Sequence, residues 1–353
     1  MTAIQFKDVL HQLIEDLIGK DSYRGVTLTY SWLANQFGHF SLGFIPTLIA
    51  YFYLKKIYCV KSALWAAIII SSLWLLFEIY NFLGPLLFYK QSKSKLLYVP
   101  EDKYVFQPAW WNVAFDTITD LLFFWFGAFW ASLFLQISPT VIYILIIDAI
   151  ILIYPVTFWF VTKIYLQYAR LPTQFRLSQW KGSISEEDKK TVLAYLSKSQ
   201  TSIGNHLLIY GGRRSGKSPL AIGVATELSI KRCPSSYYTG IKLYNLFSLT
   251  DQEIIDSEKC DKWSWRTASL LIIDDINSGS PIIQNLITPT QFIQLIDTTA
   301  TNIDNRKELA NKNVIWVLGD FGVNTIMDWK EMIEKVGVPN NMITSVNLSF
   351  NMI

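Results

Sequence analysis

The residues best equipped for chemistry are Gly211, Gly212, Arg213, Arg214, Ser215, Gly216, Lys217 and Ser218, a run spelled G-x-x-x-x-G-K-S. Glycine reaches backbone angles closed to other residues, so Gly211 and Gly216 let the loop between them turn its N–H groups toward an anion. A helix opening near Lys217 would add the positive end of its dipole. From there the Lys217 ammonium can reach β- and γ-phosphate oxygens, and the Ser218 hydroxyl can ligate Mg2+. The run predicts a loop that binds a nucleoside triphosphate, with ATP and Mg2+ as the expected pair.

A second group stands about 55 residues further on, where Leu270-Leu271-Ile272-Ile273 runs into Asp274 and Asp275. A buried strand that ends in an acid can present a carboxylate to a metal at the strand tip. Asp274 is expected to hold Mg2+, mostly through water, because that ion keeps much of its hydration shell. Asp275 is expected to orient and polarise an attacking water.

Both groups need strands and helices to hold them. Strand-like runs fall at 206–210, 235–239, 269–273, 313–318 and 343–349, with helical segments near 217–230, 241–247, 289–300 and 325–336. Alternation of this kind predicts an α/β domain of three layers, a parallel sheet with helices on both faces. Ligands of such a sheet bind at the carboxyl ends of its strands, where the glycine loop already lies.

The order of these elements resembles the AAA+ and related P-loop ATPases: LLIYGGRRSGKS in the place of Walker A on strand one, LLIIDDIN in that of Walker B on strand three. The Walker B wording is similar to that of bacterial replication initiators and helicase loaders, and the Walker A wording to prokaryotic signalling and defence ATPases. The resemblance covers about residues 190–350 and none of the first half. It implies that Asp320, in Val317-Leu318-Gly319-Asp320, marks the sensor-1 position; the alternative is that Asp320 merely ends a strand. Three departures stand out. The second Walker B acid is Asp275 where that family usually has Glu, which leaves slow or conditional hydrolysis open. An arginine finger is expected before strand five, yet only Lys330 and Lys335 lie there, and Arg306 lies before strand four. The chain also stops just after strand five, so the family's helical lid is not expected.

Composition divides the chain in two. Apolar residues make up 51% of its 353 residues and charged residues only 17%, against about 25% charged in an ordinary soluble protein. Residues 1–180 carry 13 Lys/Arg and 10 Asp/Glu, whereas residues 181–353 carry 18 of each. The net charge of +3 therefore sits in the first half. A neutral second half offers no concentrated basic face, so nucleic acid is not an expected partner. Cys59, Cys233 and Cys260, like His11, His39 and His206, fall at no metal-ligand spacing.

In the first half, residues 4–18 have the spacing of an amphipathic helix. Apolar stretches at 32–54, 63–83, 119–136 and 140–162 are each near the length of a membrane span. Asn35, Gln36 and His39 weaken the first of these, and Asp148 sits in the middle of the last. A carboxylate at that depth points to a proton relay or ion ligand, or to a protonated or paired acid facing other helices. Four spans place both the N-terminus and the phosphate loop inside. The cytosolic segments are then rich in Lys and Arg, although Lys55, Lys56 and Lys61 crowd one outside loop. Ser183-Ile184-Ser185-Glu186 reads as a helix start after a basic linker.

The expected organisation is an N-terminal helix at 1–30, an all-α transmembrane region at 31–165, a linker and helix at 166–200 and a P-loop ATPase domain at 201–353. The expected protein is an integral membrane ATP-binding protein of a prokaryotic inner or plasma membrane, with its ATPase domain cytoplasmic. Its partners would be the lipid bilayer and either further copies of itself or a membrane protein. An ATPase that couples nucleotide state to its helices or to a partner is the leading expectation. The alternatives are a nucleotide-gated signalling or defence scaffold with little hydrolysis, and an ATP-regulated channel or transporter.

Overall fold

The long apolar runs of the first half form four helices: α1 Ser31–Tyr58, α2 Ala63–Phe88, α3 Trp110–Leu135 and α4 Pro139–Tyr168. The computed structural model describes residues 31–88, 104–173, 175–258, 263–277, 287–297, 304–319 and 326–348. The amphipathic helix expected at 4–18 and the residue Asp320 lie outside them. Among the described residues these four helices are long and apolar enough to cross a membrane. The chain divides into two compact units, Met1–Phe160 and Val161–Ile353.

Within the first unit many large apolar side chains are exposed. Phe134 is 77% exposed and Tyr154 68%. The polar ones are held inside: Gln36, Glu78, Asp116, Asp120 and Asp148 are all buried. Gln36 Nε2 donates to Asp120 Oδ1 at 2.7 Å, and His39 Nε2 lies 3.4 Å from the same oxygen. Gln36 and His39 thus contact a neighbouring helix, while Asn35 donates to His39 within its own. Neither carboxylate oxygen of Asp148 has a hydrogen-bond partner among the described residues.

α1 and α3 approach very closely because each presents a glycine to the other's backbone. A Cβ on Gly43 would stand 2.0 Å from the Phe124 carbonyl oxygen, and one on Gly127 would stand 2.0 Å from that of Phe40. Small residues at such crossings let helix backbones meet closely. Pro46 lies inside α1. Having no N–H, it cannot bond the carbonyl of Leu42 one turn earlier; Trp74 Nε1 of α2 donates to that oxygen instead, at 3.0 Å. The Trp74 ring stacks on Phe124 of α3 with centroids 4.0 Å apart.

α3 begins at Trp110, well before the expected start at residue 119. The first turns contain Asn112, Asp116 and Asp120, which lower the local hydropathy. Asp116 and Asp120 point inward and are buried, so the helix is apolar only on the faces that matter.

The second unit is a five-stranded parallel sheet: β1 His206–Gly211, β2 Ser235–Thr239, β3 Leu270–Asp274, β4 Asn313–Gly319 and β5 Ile343–Asn347, in the order β2-β3-β4-β1-β5. Its helices are α5 Glu186–Thr201, α6 Lys217–Ile230, α7 Gly240–Leu246, α8 Asp251–Glu258, α9 Pro289–Asp297, α10 Asn305–Ala310 and α11 Ile326–Val336. β1, β3 and β4 are largely continuous apolar runs because both faces are covered. Leu208, Leu271, Ile273 and Trp316 pack with Phe292, Trp329 and Ile333. The alternate residues Leu207, Ile209, Ile272, Ile315 and Val317 are buried as well.

All five expected strands are present, with shifts of a residue or two at their ends. Two helices were not expected. α8 starts at a reciprocal cap in which the Thr250 amide donates to Glu253 and the Glu253 amide donates to the Thr250 hydroxyl. α10 is capped by Asp304. The cap of α5 is Ser185, whose hydroxyl accepts from the Asp188 amide, not the Ser183 and Glu186 pair that the spelling suggested.

Candidate functional site

β1 delivers the chain to Gly211, and α6 begins at Lys217. Between them the backbone reverses through left-handed conformations. Gly216, the residue before α6, has φ 89°, and Arg214 has φ 66°. A Cβ on Gly211 would come within 2.9 Å of the Leu348 carbonyl carbon and 3.0 Å of Ser215 Oγ. Pro219 follows in the first turn of α6, where a missing N–H costs no helical hydrogen bond.

Lys217 is buried and its ammonium is turned into the loop, donating to the carbonyls of Gly211 at 2.7 Å and Gly212 at 2.6 Å. Ser218 stands beside it, half-buried. Ser215 Oγ is buried with no hydrogen-bond partner among the described residues. Arg213 and Arg214 are exposed. The loop therefore gathers a cation, hydroxyls and helix-start amides at the carboxyl end of β1.

β4 lies between β1 and β3. With strands about 4.8 Å apart, the tips of β1 and β3 are separated by about 10 Å, room for a phosphate and a hydrated ion. Asp274, at the tip of β3, is 3% exposed. One of its oxygens accepts from the phenol of Tyr237 at 2.9 Å and the other from the amide of Asp275 at 2.8 Å. Tyr237 pairs with Ile272 across the β2–β3 ladder, so Asp274 is its diagonal neighbour on the same face. Burial, followed by the charges of Asp274 and Asp275, holds the Tyr237 phenol well above its ordinary pKa, so it stays a donor.

Asp275 is exposed and has φ 54°, a left-handed conformation that Asp tolerates better than most residues. Loss of solvation, followed by the neighbouring Asp274 charge, raises its carboxyl above the usual Asp value of 3.8. Asn277 accepts a hydrogen bond from the Gly319 amide and so ties the end of β3 to the end of β4. The chain continues from there into Asp320.

No protein-family model matches the chain. No curated protein matches it. Four solved chains do, among them a crystal structure of DnaI, with 12% sequence identity and a TM-score of 0.31 over 50% of this chain and 89% of that one.

Sequence reasoning picked out the loop and the acids but not three residues that hold them. Tyr237, Asn277 and Trp180 were missed. Trp180 Nε1 donates to the Gly216 carbonyl at 2.9 Å. Diagonal pairing could have suggested Tyr237 once the strands were aligned; nothing in the spelling marks Trp180. Of the basic residues considered as a finger, Arg306 is already engaged. Its guanidinium donates twice to Asp297, at 2.5 and 2.6 Å, and once to the Lys335 carbonyl at 2.7 Å. Lys335 itself pairs with Glu331.

Proposed function

We propose that this chain is an ATP-binding protein, an ATPase with Mg2+, held in a membrane by its four apolar helices. The observation that carries the reading is the Lys217 ammonium buried among the Gly211 and Gly212 carbonyls, across one strand from Asp274. The donor set fits the ligands: a loop whose Gly211 has no room for a Cβ, a Ser215 hydroxyl without a hydrogen-bond partner among the described residues, and an acid fixed by Tyr237. Ser218 and Asp274 would hold Mg2+, which when bound would neutralise charge on the β- and γ-phosphates. Lys217 would pass its hydrogen bonds from the two carbonyls to phosphate oxygens. The amides of residues 212–218 would face the same anion, and Asp275 would orient the attacking water. Asp320 is proposed to monitor the γ-phosphate, as the family resemblance implies.

The test is phosphate release from Mg2+-ATP by the purified full chain in detergent. Lys217→Ala is expected to cut the rate about a hundredfold or more; equal rates would end the proposal.

A second reading, a nucleotide-gated scaffold with little turnover, draws support from the engagement of Arg306. An arginine held by Asp297 and by the end of α11 is poorly placed to serve a neighbouring subunit. Tight ATP retention without phosphate release would select it. Either way, the ATP-binding domain would face the cytosol, and a second copy or a membrane protein would be the partner.

A further inference from the structure

The connector that leaves α4 touches both halves of the nucleotide site. Tyr165 and Tyr168, in the last turn of α4, lie against Trp263 with ring centroids 5.2 and 5.4 Å away. Trp263 Nε1 donates to the carbonyl of Ser235 in β2 at 2.8 Å. One step on, the Ala169 carbonyl accepts from the amide of Tyr237 at 3.1 Å, on the outer edge of β2. The phenol of the same Tyr237 holds Asp274.

The chain then runs along α6. Arg176 and Glu227 form a buried pair through two hydrogen bonds, at 2.7 and 3.1 Å. Leu177 crosses Gly223, where a Cβ would stand 3.0 Å from the Leu177 Cα. Trp180, 2% exposed, reaches Gly216. Gly216, Gly223 and Glu227 fall on one face of the helix, as positions seven and four apart must. Gly182 makes room for the indole, since a Cβ there would lie 2.2 Å from its ring.

We propose that residues 165–182 report the nucleotide state of the site to the C-terminal turns of α4, with Trp180 and Tyr237 as the positioning residues. Trp180 fixes the carbonyl of the glycine that opens the phosphate-loop helix. Tyr237 fixes the metal-side acid with its phenol and the connector with its amide. A ligand that shifts Gly216 or Asp274 must strain or release these contacts. By linkage, the connector then biases affinity for that ligand by the same factor. The inference rests on the reading of the site as an ATP site.

Hydrogen–deuterium exchange of the full chain in detergent, with and without AMP-PNP and Mg2+, tests it. Amides of residues 169–182 should change their exchange about fivefold or more on binding. Peptides over 211–218 serve as the internal reference for occupancy. Protection at 211–218 with an unchanged connector would overturn the inference and leave the ATP reading standing. No protection at either place would overturn both. Trp180→Phe should weaken AMP-PNP binding about 2- to 12-fold, the effect of one ordinary hydrogen bond, and abolish the connector response while 211–218 is still protected. A response of full size in that variant would remove Trp180 from the role. The wild-type measurement decides the main claim even if the variant fails to fold.

Discussion

Glycine serves opposite purposes in the two units. In the helical unit Gly43 and Gly127 keep ordinary helical geometry and are valuable for what they lack, since any Cβ would run into the facing backbone. In the α/β unit Gly216 is valuable for its angle, φ 89°, and only secondarily for the space beside Trp180. The polar residues invert in the same way. The first unit hides Gln36 and Asp120 and shows Phe134 and Tyr154 to its surroundings; the second hides Leu207 and Trp316 together with the buried ion pair of Arg176 and Glu227. The difference teaches what each half must satisfy. Helices of the first kind meet through close backbone contact and gather polar groups such as Gln36 and Asp120 between them. A parallel sheet gets its cohesion from burial and can place a strained loop at its rim.

This contrast can be broken experimentally. Gly127→Ala should do the greatest damage, because the new methyl would meet a carbonyl, not a movable side chain. A loss of about 1–3 kcal/mol or more is expected for such overpacking, read as a lower thermal midpoint in detergent. Gly38, in the same helix pair but with nothing within 4 Å of a Cβ, is the control: Gly38→Ala should be neutral or stabilising by up to about 1 kcal/mol. If both variants lose stability alike, close approach is not what Gly127 provides.

Gly216→Ala should act on ligand binding more than on folding. An alanine forced to positive φ costs about 1–2 kcal/mol locally, roughly a 5- to 30-fold loss of ATP affinity if the loop relaxes to avoid it. Titration of AMP-PNP measures this, and an unaltered affinity would show that the angle is dispensable.

Last comes an effect that is nil at neutral pH and shows only as a slope in acid. His206, buried in β1, accepts a hydrogen bond from Trp316 Nε1 at 3.1 Å, and burial pushes its imidazole down to about 3. Unfolding returns it to about 6.5, so the unfolded chain takes up a proton that the folded chain refuses. Stability of the α/β unit should therefore be complete above about pH 6.5 and fall as pH drops from there toward about 3. His206→Asn, which keeps an acceptor without titrating, should flatten that slope in pH-dependent denaturation.

The sheet was legible because buried parallel strands are spelled as unbroken apolar runs, Leu270–Ile273 being the plainest. The phosphate loop was legible because its two glycines and lysine are local to one turn. The start of α3 was not. Asp116 and Asp120 look like the edge of a span until Gln36, 84 positions away, supplies a donor. Trp180 was hidden for the same reason, as its partner Gly216 lies 36 positions on. Residues whose role is set by a distant partner leave no period or motif behind. Asp320 and the helix expected at 4–18 lie beyond the described residues.

The indole of Trp74 ends on a carbonyl that Pro46 has left bare, while its ring rests on Phe124. Turning α1 about its long axis would strip that oxygen of the Trp74 donor and prise the glycines of α1 and α3 apart. Movement inside this half should then be confined to three helices travelling as one piece.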